Sequence, residues 1–326
     1  MISIVGGSGF IGTRLSKRLI SSGKDIVIID KKSSGTFPDL WKYSDVREFD
    51  VLSKAIQGDV IINLAAEHRD DVTPLSLYDE VNVEGAKRVC EVAEEKGINR
   101  IIFTSSVAVY GFAPIGTDES GDINYFNDYG RTKYLAEQVY KEWQKKDSEN
   151  RTLVIVRPTV VFGEQNRGNV YNLLKQIASG KFMMVGSGKN VKSMAYVENV
   201  AAFLEYSLDF KSGIHVYNYI DKPDFTMNTL VKKVFKALGK EEKVGIRIPY
   251  SIGYGMGKIL DLGAKISGKK LPISSIRVKK FCSNTSFNTS IVKSGFEAPV
   301  SIEEGLSQTI KYEFVDRKKG EVFFTE

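Results

Sequence analysis

The chain has 326 residues, of which 42% are apolar and 26% charged, with a net charge of +6 and only two cysteines. These proportions are ordinary for a soluble globular protein and exclude a collagen-like, disordered or disulfide-scaffolded chain. Cys90 and Cys282 are too few for a disulfide framework or a metal cluster, so no metal is expected and a reducing compartment fits. No apolar run approaches the ~18 residues of a bilayer span. Met1 leads straight into Ile2–Val5, without the basic n-region of a signal peptide, so the expected location is cytoplasmic. The positive charge is concentrated: from Lys240 to Lys280 ten Lys or Arg stand against three acids, a local excess of +7. That stretch lacks the interleaved aromatics of a single-strand nucleic-acid groove, so no nucleic-acid partner is expected. Substrate phosphates, a membrane surface or plain solvent remain as what it faces.

In chain order, a short strand Ile2–Val5 runs into Gly6-Gly7-Ser8-Gly9-Phe10-Ile11-Gly12 and then a helix to about Ser22. Gly6, Gly9 and Gly12 carry the G-x-x-G-x-x-G spacing. Such a turn lets backbone approach a pyrophosphate at a helix N-terminus. The next strand, Ile26–Ile29, ends in Asp30, whose carboxylate suits an adenosine ribose and repels a 2′-phosphate. NAD is therefore favoured over NADP, although Lys31 and Lys32 lie close enough in sequence to oppose that preference. Ser44-Asp45-Val46 reads as an adenine-side turn, and strand Asp59–Leu64 delivers Ala65-Ala66-Glu67-His68 to the same edge. His68 fits a substrate contact or an exposed loop residue equally well. A helix from about Tyr78 to Lys96 ends at Gly97, and strand Arg100–Phe103 leads to Ser106.

Residues 128–146 read as a helix, which places Tyr129 and Lys133 four residues apart on one face. A tyrosine ionises near pH ~10, and an adjacent positive charge is expected to lower that value. Further apolar strands at Leu153–Val156 and Val216–Ile220 complete an alternation of strands and helices. The fold expected is α/β, a doubly wound parallel sheet with a smaller C-terminal substrate-binding domain. Residues 1–163, joined by about 196–222, form the first part; 164–195 and 223–326 form the second, a lid.

The glycine turn, Asp30, Ala65-Ala66, Ser106-x-x-x-Tyr110-Gly111, Tyr129-x-x-x-Lys133 and Arg157-Pro158 together resemble the extended short-chain dehydrogenase/reductases. Within them they are similar to the NAD-dependent sugar epimerase/dehydratase branch. The resemblance implies a catalytic triad of Ser106, Tyr129 and Lys133. It also implies NAD held by Gly6, Ser8, Gly9, Phe10, Ile11, Gly12, Asp30, Asp45, Val46, Leu64, Ala65, Ala66, Tyr129, Lys133, Arg157 and Pro158. Sugar dehydratases of this branch carry an Asp-Glu pair after the residue matching Ser106. Val107 and Ala108 stand there instead and cannot transfer protons, so 4-epimerisation is expected rather than dehydration.

The runs Ala65–Val72, Asn166–Ile177, Lys181–Gly186, Lys192–Val197 and Val278–Cys282 further resemble bacterial members acting on N-acetylglucosamine carried by undecaprenyl diphosphate. The resemblance implies conversion to the GalNAc isomer for surface polysaccharide (O-antigen) assembly. The substrate contacts implied are Ser106, Val107, His68, Asn169, Lys192, Arg277 and Lys280, with Lys279 as a further diphosphate candidate. A nucleotide-sugar epimerase, a keto-sugar reductase and an NAD-binding sensor or scaffold are the alternatives, and a homodimer is left open.

Ile252, Met256, Ile259, Leu260, Gly263 and Ile266 fall near helical spacing, with Lys258, Lys265, Lys269 and Lys270 around them. The favoured reading is a lid helix packing this stripe on the core. The other is a basic amphipathic helix at the inner-membrane surface, giving peripheral attachment.

Overall fold

The computed structural model describes residues 1–69, 72–267, 274–318 and 320–325, with the side chains of residues 266 and 267 excepted. Among them, the apolar runs form strands β1 (Ile2–Val5), β2 (Ile26–Asp30), β3 (Trp41–Tyr43), β4 (Val60–Asn63), β5 (Arg100–Thr104) and β6 (Thr152–Pro158). There follow β7 (Val160–Phe162), β8 (Met184–Val185), β9 (Val191–Tyr196), β10 (Gly213–Tyr219), β11 (Asp221–Thr226) and β12 (Arg247–Ile248). The helices are α1 (Phe10–Ser21), α2 (Phe49–Ala55), α3 (Ser76–Tyr78), α4 (Gly85–Glu95), α5 (Asp128–Lys145) and α6 (Asn169–Ala178). After them come α7 (Val197–Tyr206), α8 (Met227–Ala237), α9 (Tyr250–Ser267), α10 (Ser275–Cys282) and α11 (Ile302–Ile310).

Seven strands build one parallel sheet in the order β10-β6-β5-β4-β1-β2-β3. Its central strands are buried along their whole length, as a parallel sheet covered on both faces requires. Leu52, Val89, Val92, Tyr140 and Trp143 of α2, α4 and α5 fill one face. Leu15, Leu19, Val200 and Phe203 of α1 and α7 fill the other. The order reverses between β1 and β4, so the crevice for a ligand lies beyond the carboxyl ends of these two strands.

A second core, with Phe162, Leu174, Met194, Leu230, Val234 and Leu306, joins α6, α8 and α11 to the small sheet β11-β9-β7. The helix expected over Tyr78–Lys96 begins at Ser76 and is wound as a π-helix from Asp79 to Glu84 before α4. Gly97 ends it with φ +64°, a left-handed conformation that glycine adopts at no steric cost.

The first turns of the apolar stripe of α9 do not pack on the core, although Leu260 is half-buried, and the Ile266 side chain lies outside the described residues. Ile252, Met256 and Ile259 are 54%, 52% and 72% exposed. The face that packs is the glycine face: a Cβ on Gly253 would strike Val185, and one on Gly257 the backbone of Ser275. Glycines let the backbones of α9 and α10 approach closely, and this turns the bulkier side chains outward. Lys269 and Lys270 lie outside the described residues. No helix among the described residues is long and apolar enough to cross a membrane.

Candidate active site

Between β1 and α1 the glycine turn is held by two close approaches. Gly6 adopts φ +75° and donates to Ile29 O (2.8 Å), and a Cβ there would overlap the Ala65 backbone. A Cβ on Gly12 would strike Gly7, so this glycine seats α1 against the turn. Gly9 differs: an added Cβ would meet only Gly6 O, at 3.3 Å. Internal packing is therefore not what calls for glycine there, which suits a position kept clear for a ligand. The N-terminus of α1 has no side-chain cap and no acid in its first turn. The Ser8 hydroxyl beside it is buried without a hydrogen-bond partner among the described residues. Unsatisfied donors at a helix N-terminus fit a pyrophosphate.

Asp30 closes the turn, its carboxylate accepting from Ser8 N (3.1 Å) and Lys32 N (2.9 Å). Burial raises its pKa, against the pull of these two bonds and of Lys31 and Lys32. Asp45, expected on the adenine side, is committed to Arg47 through bonds of 2.8 and 3.0 Å, which lower its pKa. Val46 is buried against Gly85. Leu64, Ala65 and Ala66 follow β4 at the switch point, with Ala65 N bound to the Asn63 side chain (3.0 Å).

Ser106 follows β5 and caps a short 3-10 turn, Val107–Tyr110, its hydroxyl accepting from Ala108 N (3.1 Å). The opposing helix α5 starts from Asn127, whose side chain accepts from Gly130 N (3.0 Å). A Cβ on Gly130 would stand 2.4 Å from Ala108 O, so this glycine allows α5 to abut the Ser106 loop. The Ser106 hydroxyl thereby reaches the Tyr129 phenol and favours its ionisation. Burial outweighs that pull and leaves the Tyr129 pKa above its ordinary value, contrary to the lowering expected from Lys133. Lys133 is desolvated as well. It is 1% exposed, its ammonium 4.2 Å from the centre of the Phe103 ring, and burial lowers its pKa to about 7. At neutral pH it is therefore not a full fixed charge.

Beneath the pair lies a buried network that the motifs do not reveal. Glu137, one turn beyond Lys133, binds Arg157 at 2.5 and 2.8 Å and accepts from Ser105 (2.5 Å). Arg157 also donates to Tyr110 OH (2.6 Å), which donates to Asn218 (2.9 Å). The guanidinium of Arg157, expected against the cofactor, is thus turned into the protein beneath Ser106 and Lys133. It acts there as a brace, while Pro158 ends β6 at the crevice. On the other side, Asn82 of the π turn bonds Thr132 (2.9 Å) and both backbone groups of Glu67 (2.8 and 2.9 Å). A wide turn thus ties α5 to the His68 loop.

His68 lies at the rim. Its side chain is exposed to solvent while its ring contacts Ala66 O (3.4 Å) and the Thr325 backbone, and desolvation is the main cause that lowers its pKa, with Lys133 adding to the effect. Segment 320–325 crosses this edge: Glu321 accepts from Thr36 (2.6 Å), Phe323 packs on Phe10 (5.9 Å) and Thr325 bonds Asn166 (2.8 Å). Nothing in its own sequence signals this contact.

Val107 borders the Ser106 loop, and Asn169 is exposed at the start of α6. Lys192 does not project as a free phosphate ligand. Its ammonium caps the end of α10, donating to Ser283 O (2.7 Å) and Lys280 O (3.0 Å), and burial lowers its pKa to about 8. It holds in place the helix that carries Arg277, Lys279 and Lys280, all three exposed. No cluster of metal-ligating side chains occurs among the described residues.

A model of the NAD dependent epimerase/dehydratase family matches residues 2–219. The chain is 49% identical over 326 residues to an N-acetyl-alpha-D-glucosaminyl-diphospho-ditrans,octacis-undecaprenol 4-epimerase of Escherichia coli O157:H7, covering 99% of this chain and 98% of that protein. A UDP-glucose 4-epimerase of Bacillus subtilis is 26% identical, with 83% of each chain covered. Among solved structures, the UDP-glucose 4-epimerase of Thermotoga maritima with UDP-glucose superposes with a TM-score of 0.75 at 20% identity, covering 97% of this chain and 99% of that one.

Proposed function

The chain belongs to the NAD-dependent epimerase/dehydratase family, and from that premise we propose that it inverts carbon 4 of N-acetylglucosamine linked to a polyprenyl diphosphate, giving the GalNAc isomer. It is an isomerase that uses NAD. The observation that carries the substrate class is the similarity along the whole chain, 49% to the lipid-linked-sugar epimerase against 26% to the UDP-glucose enzyme.

In this reading Ser106 orients the carbon-4 hydroxyl and Tyr129 takes its proton, returning it after the ring has turned over as a 4-keto sugar. Val107 and Ala108 offer no acid or base to expel water, so the hydroxyl is inverted and not eliminated. NAD, when bound, would supply the hydride acceptor and donor at carbon 4, and its positive charge near the phenol would favour the ionised form that Tyr129 needs as a base. The glycine turn, the Ser8 hydroxyl, the α1 N-terminus and Asp30 would hold its dinucleotide, and Lys133 its nicotinamide ribose. Arg157 and Glu137 position Lys133 and the Ser106 loop from below. Incubation with N-acetylglucosamine linked to UDP and to polyprenyl diphosphate, with the sugar product identified, tests the assignment. Turnover of the UDP-sugar alone would refute it.

Such a lipid leaves its chain in a bilayer, so the reading includes peripheral attachment at the inner membrane and a role in O-antigen assembly. The exposed Ile252, Met256, Ile259 and Leu262 of α9 support a shallow contact, with Lys258 and Lys265 on the same helix and basic neighbours contributing about 1 kcal/mol each near anionic lipid. Sedimentation with anionic vesicles checks this: Lys258→Glu with Lys265→Glu should release the protein. Binding that persists unchanged at low and high salt would refute it.

A further inference from the structure

Two phenylalanines stand in the open beside the catalytic loops. Phe112 is 45% exposed and Phe126 52%, and they pack edge to face on each other at 4.8 Å. Their backbones are fixed by the elements that hold the catalytic side chains. Phe112 directly follows Gly111, the end of the Ser106 loop, where a Cβ would collide with Asn124 O. Phe126 directly precedes Asn127, the cap of α5, and Asn124 N bonds Val109 O (3.1 Å) between the two segments. The pair is thus rigidly presented.

Across from it stands the last turn of α10. The Lys279 ammonium lies 5.4 Å from the Phe112 ring centre, and that of Lys280 5.8 Å from Phe126. Ile276, exposed one turn before Lys280, extends the apolar surface along the helix. Lys192 and Asn190 fix this helix end, the latter through Phe281 O (2.8 Å). Cations therefore sit directly against exposed apolar rings, both held by stiff backbone.

A ligand that matches must carry negative charge immediately next to hydrocarbon. Phe126 precedes Tyr129 by three residues, so their Cα atoms lie within about 10 Å, a span that a sugar ring and a diphosphate can bridge. We propose that Phe112 and Phe126 bind the first isoprene units of a polyprenyl diphosphate, with Lys279 and Lys280 on its diphosphate and the sugar reaching Ser106 and Tyr129. This rests on the lipid-linked substrate reading above. The rings then serve as a specificity element: they favour alkyl chain over a polar nucleoside at the mouth of the cleft.

The test is a substrate series of N-acetylglucosamine diphosphates bearing a methyl group, a ten-carbon isoprenoid or uridine. The wild-type enzyme should prefer the ten-carbon over the methyl compound in kcat/KM. In Phe112→Ala with Phe126→Ala that preference should fall about ten-fold or more, mainly through KM, since one methylene-sized contact already gives about ten-fold discrimination. Phe112→Leu with Phe126→Leu, which retains apolar bulk, should recover much of it, and NAD content equal to wild type shows the variants are folded. Lys279→Ala with Lys280→Ala should weaken methyl and ten-carbon compounds together. An unchanged chain preference in the alanine variant overturns the proposal. So does a loss confined to the uridine compound, which would assign the rings to base stacking. Failure of the wild type to turn over either lipid-type compound would instead sink the substrate reading on which the proposal stands.

Discussion

Replacing Lys133 by methionine should stabilise the NAD-stripped protein while abolishing its chemistry. Lys133 is 1% exposed and its pKa falls from 10.5 to about 7. A depressed lysine pKa means that the unfolded chain binds more protons than the folded one between these two values, so stability rises with pH across that window. The penalty for burying the ammonium is fully present below pH 7 and is relieved as pH climbs towards 10.5. At 1.36 kcal/mol per unit it amounts to something on the order of 4 kcal/mol at pH 7 and falls to about 1 kcal/mol at pH 9.5. Methionine has a similar length and no charge to desolvate. Urea denaturation of stripped wild-type and Lys133→Met protein at pH 6, 7, 8 and 9.5 should show the variant more stable at low pH, with the gap closing as pH rises. NAD retention should fall in the same variant. A variant no more stable than wild type at pH 6, or a gap independent of pH, would refute the account of Lys133 as a strained, ligand-awaiting group.

Three further outcomes are expected. Tyr129→Phe should retain fold and NAD but lose orders of magnitude in kcat, since only the proton-carrying oxygen is removed; near wild-type turnover would take Tyr129 out of the mechanism. Asp30→Ala should lower the preference for NAD over NADP by about 1.5–3 kcal/mol, a change of about 13- to 160-fold in the ratio of dissociation constants, because a charged acceptor is lost. Gly130→Ala separates two effects by sign: helix propensity alone would stabilise by about 1 kcal/mol. The collision with Ala108 O should instead destabilise by about 1–3 kcal/mol and reduce kcat, as read by thermal unfolding and steady-state kinetics.

The sequence by itself determined the parts governed by short-range rules. Gly6, Gly9 and Gly12 between a strand and a helix, Asp30 at the end of the next strand, and Tyr129 and Lys133 on one helical face are each legible from a short local stretch of chain. Unbroken apolar runs likewise marked the buried strands, because a parallel sheet covered on both faces has no polar side to alternate with.

What only the tertiary structure decided depends on partners distant in the chain. Helix α9 carries both a glycine face and an apolar face, and local pattern favoured burying the second. The bodies of Val185 and Ser275 accept only the first, because a close backbone approach leaves no room for a Cβ. Arg157 points to Glu137, and Lys192 to the end of α10, because buried charges and unsatisfied helix carbonyls must find partners wherever the fold supplies them. The pKa of Lys133 follows the same rule: its spacing from Tyr129 is written in the sequence, but the desolvation that sets its charge comes from Phe103 and the packed sheet beneath it.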